Sequence, residues 1–249
     1  MPLTPQQRQQ VEDIFTKVAS KAFQRLHGLT LSAQPVNPFV AVLVARTPEE
    51  LAEFIVAQRV ERGLVTSLGT QLQKIARSIG TVMHSSGVAG ADLEGLDTRF
   101  QRHMLMQVKM GPDTVNKDIG DQIAAKLGQA ENRIRQGGLP TDWIVMKMLG
   151  MCYGRPSHRN RWVMDLQGRG FDVDKIGRDF WGFITGEPDA HLEVFATGLR
   201  VAYTYKNSSG KTLAQAIRDG IDRLTAEIDG AWGDGGGGID WRKVVRDNM

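Results

Sequence analysis

The sequence predicts an α/β fold in which helices flank a central mixed β-sheet, with extra helices at the N- and C-terminal ends. Three observations carry that reading. Residues 100–110 alternate: Phe100, Met104, Met106, Val108 and Met110 fall on one face of a strand, and Gln101, His103, Leu105, Gln107 and Lys109 form a mostly polar row on the other. Residues 143–152 make a nearly continuous apolar run, the pattern of a buried central strand. Ile119, Ile123, Leu127, Ala130 and Ile134 recur at steps of four, four, three and four, the spacing of a helix with one buried face. Strand and helix periods mixed along one chain imply a sheet layered with helices.

The elements follow in order. Residues 6–27 carry scattered apolar positions and predict a first helix, and Pro35, Pro38 and Pro48 mark a connector. Thr47 caps the next helix, with Pro48 in its first turn and Glu50 completing a capping box; it runs to about Glu61. Gly63 and Gly69 interrupt or tilt the chain before a second stripe, Leu68, Leu72, Ile75, Ala76 and Ile79, which Gly80 ends. Gly87 and Gly90 signal a loop, residues 91–96 a short strand, and Asp97 with Thr98 a hairpin turn into the alternating strand. Gly111 and Pro112 stop that strand, and Gly137 with Gly138 closes the helix after it. Beyond the apolar run come a basic loop, 154–161, and a further strand over 162–166. Helices over about 174–185, 189–203 and 212–229 complete the chain, the last with the stripe Leu213, Ala216, Ile217, Ile221, Leu224 and Ile228. Residues 1–232 read as a single domain, with a core at about 47–166 and a helical part at about 170–230. Residues 233–238 read as a flexible Gly-rich linker before a tail, 239–249.

Composition narrows the function. With 41% hydrophobic and 24% charged residues the chain is globular rather than disordered. No stretch approaches ~18 uninterrupted apolar residues, so no membrane partner is expected. The polar start, Met1 to Gln7, predicts no secretory signal. Cys152, the one cysteine, excludes an intramolecular disulfide and a cysteine-rich zinc site, and reads as core in a reducing cytoplasm. The five histidines show no metal-ligand spacing. Gly210-Lys-Thr212 matches the end of a phosphate-binding loop, but Tyr205 stands where its first glycine belongs, so Thr212 reads as a helix cap. A net charge of +3 does not by itself imply nucleic-acid binding, which must come from clustered charge.

The segment 90–110 carries the chemistry. Asp92 opens one strand of the hairpin, and Gln107 and Lys109 sit two apart on its partner, so the turn brings all three to one end of the sheet. A carboxylate, a second oxygen ligand and a lysine at a strand edge suit a divalent-metal phosphodiester site. The carboxylate holds a hard cation such as Mg²⁺ that polarises the phosphate and lowers the pKa of an attacking water. The lysine orients that water and offsets developing charge.

With these residues the chain resembles the PD-(D/E)xK nuclease superfamily, in particular type II restriction endonucleases. Asp92 matches the first acid, Val108 the apolar middle position and Lys109 the lysine. Gln107 departs from the pattern, since an acid is commoner there; its side-chain carbonyl still faces a cation but brings no charge. Segments 57–74, 107–118 and 149–154 extend the resemblance over roughly residues 38–154. It implies a restriction-endonuclease-like core, Mg²⁺ as cofactor with Mn²⁺ as a substitute, double-stranded DNA as partner, and a prokaryotic cytoplasm. It also implies a third metal-shell residue, for which Glu61, Glu53 and Gln73 on the preceding helix and Glu94 on the strand are candidates. DNA contacts are expected from the loop residues Arg155, His158, Arg159 and Arg161, and from Asn116 and Lys117 at a helix N-terminus. The basic loop lies near the catalytic end only if the strand at 143–152 runs the right way. A twofold homodimer is the simplest assembly for cutting both strands of a palindrome. Two rival readings are a structure-specific repair or junction nuclease on the same core, and a non-catalytic sequence-specific DNA-binding protein.

Overall fold

The structure, a computed structural model, describes residues 3–33 and 36–249. Pro35 of the expected connector and Met1 and Pro2 of the polar start lie outside the described residues. The elements are α1 (Pro5–His27), α2 (Pro38–Val44), α3 (Pro48–Ile79), β1 (His84–Ser85), β2 (Leu93–Asp97), β3 (Arg102–Lys109), α4 (Lys117–Gln136), β4 (Ile144–Met151), α5 (Arg161–Gly168), α6 (Arg178–Thr185), α7 (Ala190–Thr204), α8 (Leu213–Trp232) and α9 (Trp241–Asn248). The fold is α/β, as expected: a mixed sheet in the order β1-β2-β3-β4, flanked by helices. β1, β2 and β3 pair antiparallel, and β3 pairs parallel with β4. No helix among the described residues is long and apolar enough to cross a membrane.

Contacts group the chain into two compact units, Met1–Ile14 with Leu68–Leu199, and Phe15–Ser67 with Arg200–Met249. The grouping does not follow the expected boundary at 232/233, and it falls within α1, α3 and α7. The first unit holds the whole sheet. On one face, Leu105, Leu149 and Met151 pack against Ile123, Leu127 and Ala130 of α4 and Val163 and Leu166 of α5. On the other, Met104 and Met83 converge over Gly95, and Met106 and Phe180 over Gly150. The second unit is helical, with Leu51, Ile55, Leu224, Ile228, Trp232 and Val244 in its core.

Five expectations change. The stretches 47–61 and 68–79 are one helix, α3, because glycines at 63 and 69 weaken a helix by only about 1 kcal/mol each and do not stop it. β3 is buried on both faces, so its polar row of His103 and Gln107 is not a solvent face: α4 and α5 cover it. β4 is last in the strand order and β3 is central. The apolar run of β4 still makes sense, because segment 172–177 bonds along its outer edge: Leu149 donates to Asp172 O and Met151 to Lys175 O. Residues 162–166 are helical in α5, not a strand, since Asn160 accepts from the Trp162 and Val163 N–H groups as an N-cap. Residues 233–238 form a tight turn in which Asp234 accepts from the Gly236 and Gly238 N–H groups, and α9 returns to bury Val244 and bond Asp247 to Trp232. The expected caps are present, Thr47 with Glu50 and Thr212 with Gln215, and Asn116, expected at a helix N-terminus, caps α4 by accepting from Ile119 N–H.

Candidate active site

The site lies in the first compact unit, where β2 begins and β3 ends. The antiparallel register ends at Leu93↔Met106, so Asp92 and Gln107 are the next residue on each strand, with Lys109 two positions on. Asp92 N–H donates to Met106 O, the last ladder bond on this side. Beyond it Val108 has no strand partner in β2, and buried backbone groups need one. Two side chains supply it. Asp92 Oδ2 accepts from Val108 N–H at 2.9 Å, and Gln73 Nε2 of α3 donates to Val108 O at 2.7 Å. Asp92 therefore caps β3 as well as facing the site.

Asp92 Oδ1 accepts from Arg77 Nη2 at 2.5 Å. Arg77 stands one helical turn after Gln73 on α3, so one face of that helix contributes both. Gln107 is buried and its Nε2 donates to Gly90 O at 2.8 Å. A carbonyl only accepts, so the amide nitrogen must face Gly90 and Oε1 is left as the acceptor. Gly90 has φ +108°, and a side chain there would strike the Lys126 carbonyl of α4, so glycine permits this approach. Lys109 is half-buried. Burial pushes its amine below the ordinary lysine value, Asp92 opposes that, and Lys126 adds to the lowering. The Cys152 thiol is pushed up by burial first and by Asp92 second, so it is no nucleophile at neutral pH.

The third-ligand candidates separate. Gln73 is at the site but committed to Val108 O. Glu53 and Glu61 are exposed and belong to the second compact unit. Glu94 accepts from Ser86 Oγ at 2.7 Å and Gly87 N–H at 3.0 Å, with His103 Nε2 3.4 Å away. Arg77 and Lys126 were not singled out by sequence; only the helix packing reveals them.

Because β3 and β4 run parallel, with Lys109 beside Met151, the loop after β4 leaves the sheet at the same end as Lys109. Asn160 ties the two exits together, donating to Pro112 O at 3.0 Å and Val115 O at 2.8 Å. Gly154, at φ +109°, lies where a side chain would meet Pro112. Of the loop cations, Arg155 and His158 are exposed with no ion pair among the described residues. Arg161 lies 4.2 Å over the Trp162 ring, and Arg159 is held by Pro156 O and Asp174. Lys117 is exposed in the first turn of α4, whose N-terminus Asn116 caps.

The family of the type II restriction endonuclease EcoO109I matches residues 6–201. The chain belongs to that family. A search of curated proteins returned no match. The match encloses the sheet and every candidate residue from Glu53 to Arg161, and ends before α8 and α9. The fold is accordingly restriction-endonuclease-like, and the family is one of endonucleases. Type II restriction endonucleases generally use divalent metal ions. Among the described residues no three His, Cys, Asp or Glu side chains are arranged so that they could hold a metal ion. Mg²⁺, however, is commonly held by one or two carboxylates, with water and substrate phosphate completing the shell. Asp92 and the Gln107 Oε1 are hard oxygen donors of that kind, so the residues fit the ion.

Proposed function

We propose that this chain is a Mg²⁺-dependent endonuclease that hydrolyses phosphodiester bonds of double-stranded DNA at a short specific sequence. Asp92, Gln107 and Lys109 form its D…QxK active site. The observation carrying this reading is that Asp92 caps Val108, the residue between Gln107 and Lys109, and interacts with Lys109, at the end where the basic loop also leaves. Asp92 and Gln107 Oε1 would hold the ion, with Mn²⁺ as a substitute. The ion, when bound, polarises the scissile phosphate and lowers the pKa of the attacking water. Lys109 orients that water and offsets the charge that builds on the phosphate, and its partial burial strengthens both effects.

Arg155, His158 and Arg161 engage DNA from the loop, while Arg159 braces it. Lys117 adds its charge at the α4 N-terminus, and Asn116 orients the amides there. Cutting two strands with one such site per chain implies a homodimer. Light scattering should then give twice the chain mass.

The test is digestion of plasmid DNA by purified protein, with Mg²⁺ and with EDTA, followed by end sequencing. Discrete Mg²⁺-dependent ends that share one motif are expected. Cuts that follow DNA structure, or tight binding with no cutting, would overturn the reading in favour of a junction nuclease or a binding protein.

A further inference from the structure

Both oxygens of Asp92 are engaged, and the two partners differ in kind. Val108 N–H is backbone at the end of a buried strand. Arg77 is a long side chain, 41% exposed, on a carboxylate that is 13% exposed. The guanidinium sits on Oδ1, the oxygen not already used by the fold. Lys109 interacts electrostatically with Asp92, and Lys126 with Lys109. One carboxylate thus faces two cations, Arg77 and Lys109, with Lys126 close behind Lys109, and Gln107 supplies no charge where a second acid would. A dication approaching this site alone meets an excess of positive charge and an acid already paired. A DNA phosphate brings the negative charge that the chain lacks.

We propose that Arg77 is a resident counter-ion that blocks divalent-metal binding at Asp92 until DNA arrives. The exchange is one cation for another on Oδ1: Arg77 withdraws, the metal takes its place, and phosphate oxygens balance the added charge. Exposure of the guanidinium makes its withdrawal easy, since it returns to water and loses only a partly solvated pair. Metal loading is thereby conditional on substrate, and Arg77 is a positioning residue rather than a catalytic one. The inference rests on Asp92 being a metal ligand, as proposed above.

The test uses Mn²⁺ alone, titrated into DNA-free protein and followed by calorimetry and by electron paramagnetic resonance of free Mn²⁺. Arg77→Leu should bind Mn²⁺ about tenfold tighter than wild type, the scale expected when one charge close to a carboxylate is removed. Arg77→Lys keeps the charge and should stay within about twofold of wild type. The gain in Arg77→Leu should vanish in the double variant with Asp92→Asn. Circular dichroism melts of each variant establish that it is folded, and Arg77→Gln replaces any Arg77→Leu protein that is not. Unchanged affinity in the uncharged variant, while wild type with a DNA duplex takes up Mn²⁺ through Asp92, would overturn the counter-ion role and leave the active-site reading intact. Absence of Asp92-dependent Mn²⁺ uptake in every protein, with and without DNA, would overturn both.

Discussion

Asp92 and Glu94 stand two residues apart at the start of one strand, with side chains 13% and 18% exposed. Similar burial does not give them similar chemistry. Glu94 is enclosed by fixed neutral donors, the Ser86 hydroxyl and the Gly87 N–H, with His103 beside it. Burial, the largest single influence, raises its carboxyl, but these donors and the imidazoles of His103 and His84 outweigh it and hold the group below its ordinary value of 4.5. Asp92 has one fixed donor and one exchangeable cation. An acid whose partners are all part of the fold stabilises the fold. An acid with a replaceable partner can hold something else.

The sharpest break between the two is catalytic. Asp92→Asn and Lys109→Met should each lower cleavage by roughly a thousandfold or more, while Glu94→Gln should leave the rate within about twofold. Equal losses in plasmid cleavage assays would erase the distinction. Asparagine is the better replacement at 92 because it keeps an acceptor for Val108 N–H, which alanine would leave unpaired.

Gln107→Glu sharpens the comparison at the opposite strand. A second carboxylate should tighten Mn²⁺ binding by about tenfold in the presence of DNA. It can no longer donate to Gly90 O, so stability should fall by ~1–2 kcal/mol in denaturant titration. Glu94→Gln should also lose ~1–2 kcal/mol near neutral pH, but for a different reason, the loss of a charged acceptor. The sign of its pH dependence is fixed. A carboxyl held below 4.5 in the folded state stabilises fully above that pH and loses its contribution as pH falls through the lowered value. The stability gap between wild type and Glu94→Gln should therefore shrink in melts as pH falls below about 4.5. The smallest effect is expected in the basic loop. Arg155→Ala should weaken DNA binding severalfold and reduce the salt slope by about one, whereas Arg159→Ala should mainly lower the melting temperature.

Much of this was legible in local sequence. The hairpin, the caps at Thr47 and Thr212, and the placing of Asp92, Gln107 and Lys109 at one end of the hairpin all depend on residues close in the chain or on strand parity. What escaped depends on partners far away in sequence. Periodicity cannot say that segment 172–177 shields the outer edge of β4, nor that α4 and α5 bury the polar face of β3. Residues 162–166 were ambiguous as a short apolar run, and Asn160 as a cap was the signal that would have resolved them. Arg77 is one basic residue among many on α3 until the packing of that helix turns it toward Asp92. The direction of β4, on which the position of the basic loop depends, is not written in its composition at all.

Asn160 clamps the exit of β4 to the exit of β3, yet the residues between Tyr153 and Asn160 touch neither Asp92 nor Lys109 through any hydrogen bond. A segment mounted in this way is tied to the end of β3 at its root, braced by Arg159, and exposes Arg155 and His158. If the loop reads DNA as proposed, grafts that retain Asn160 and Gly154 should change the target preference and leave the cleavage rate unchanged.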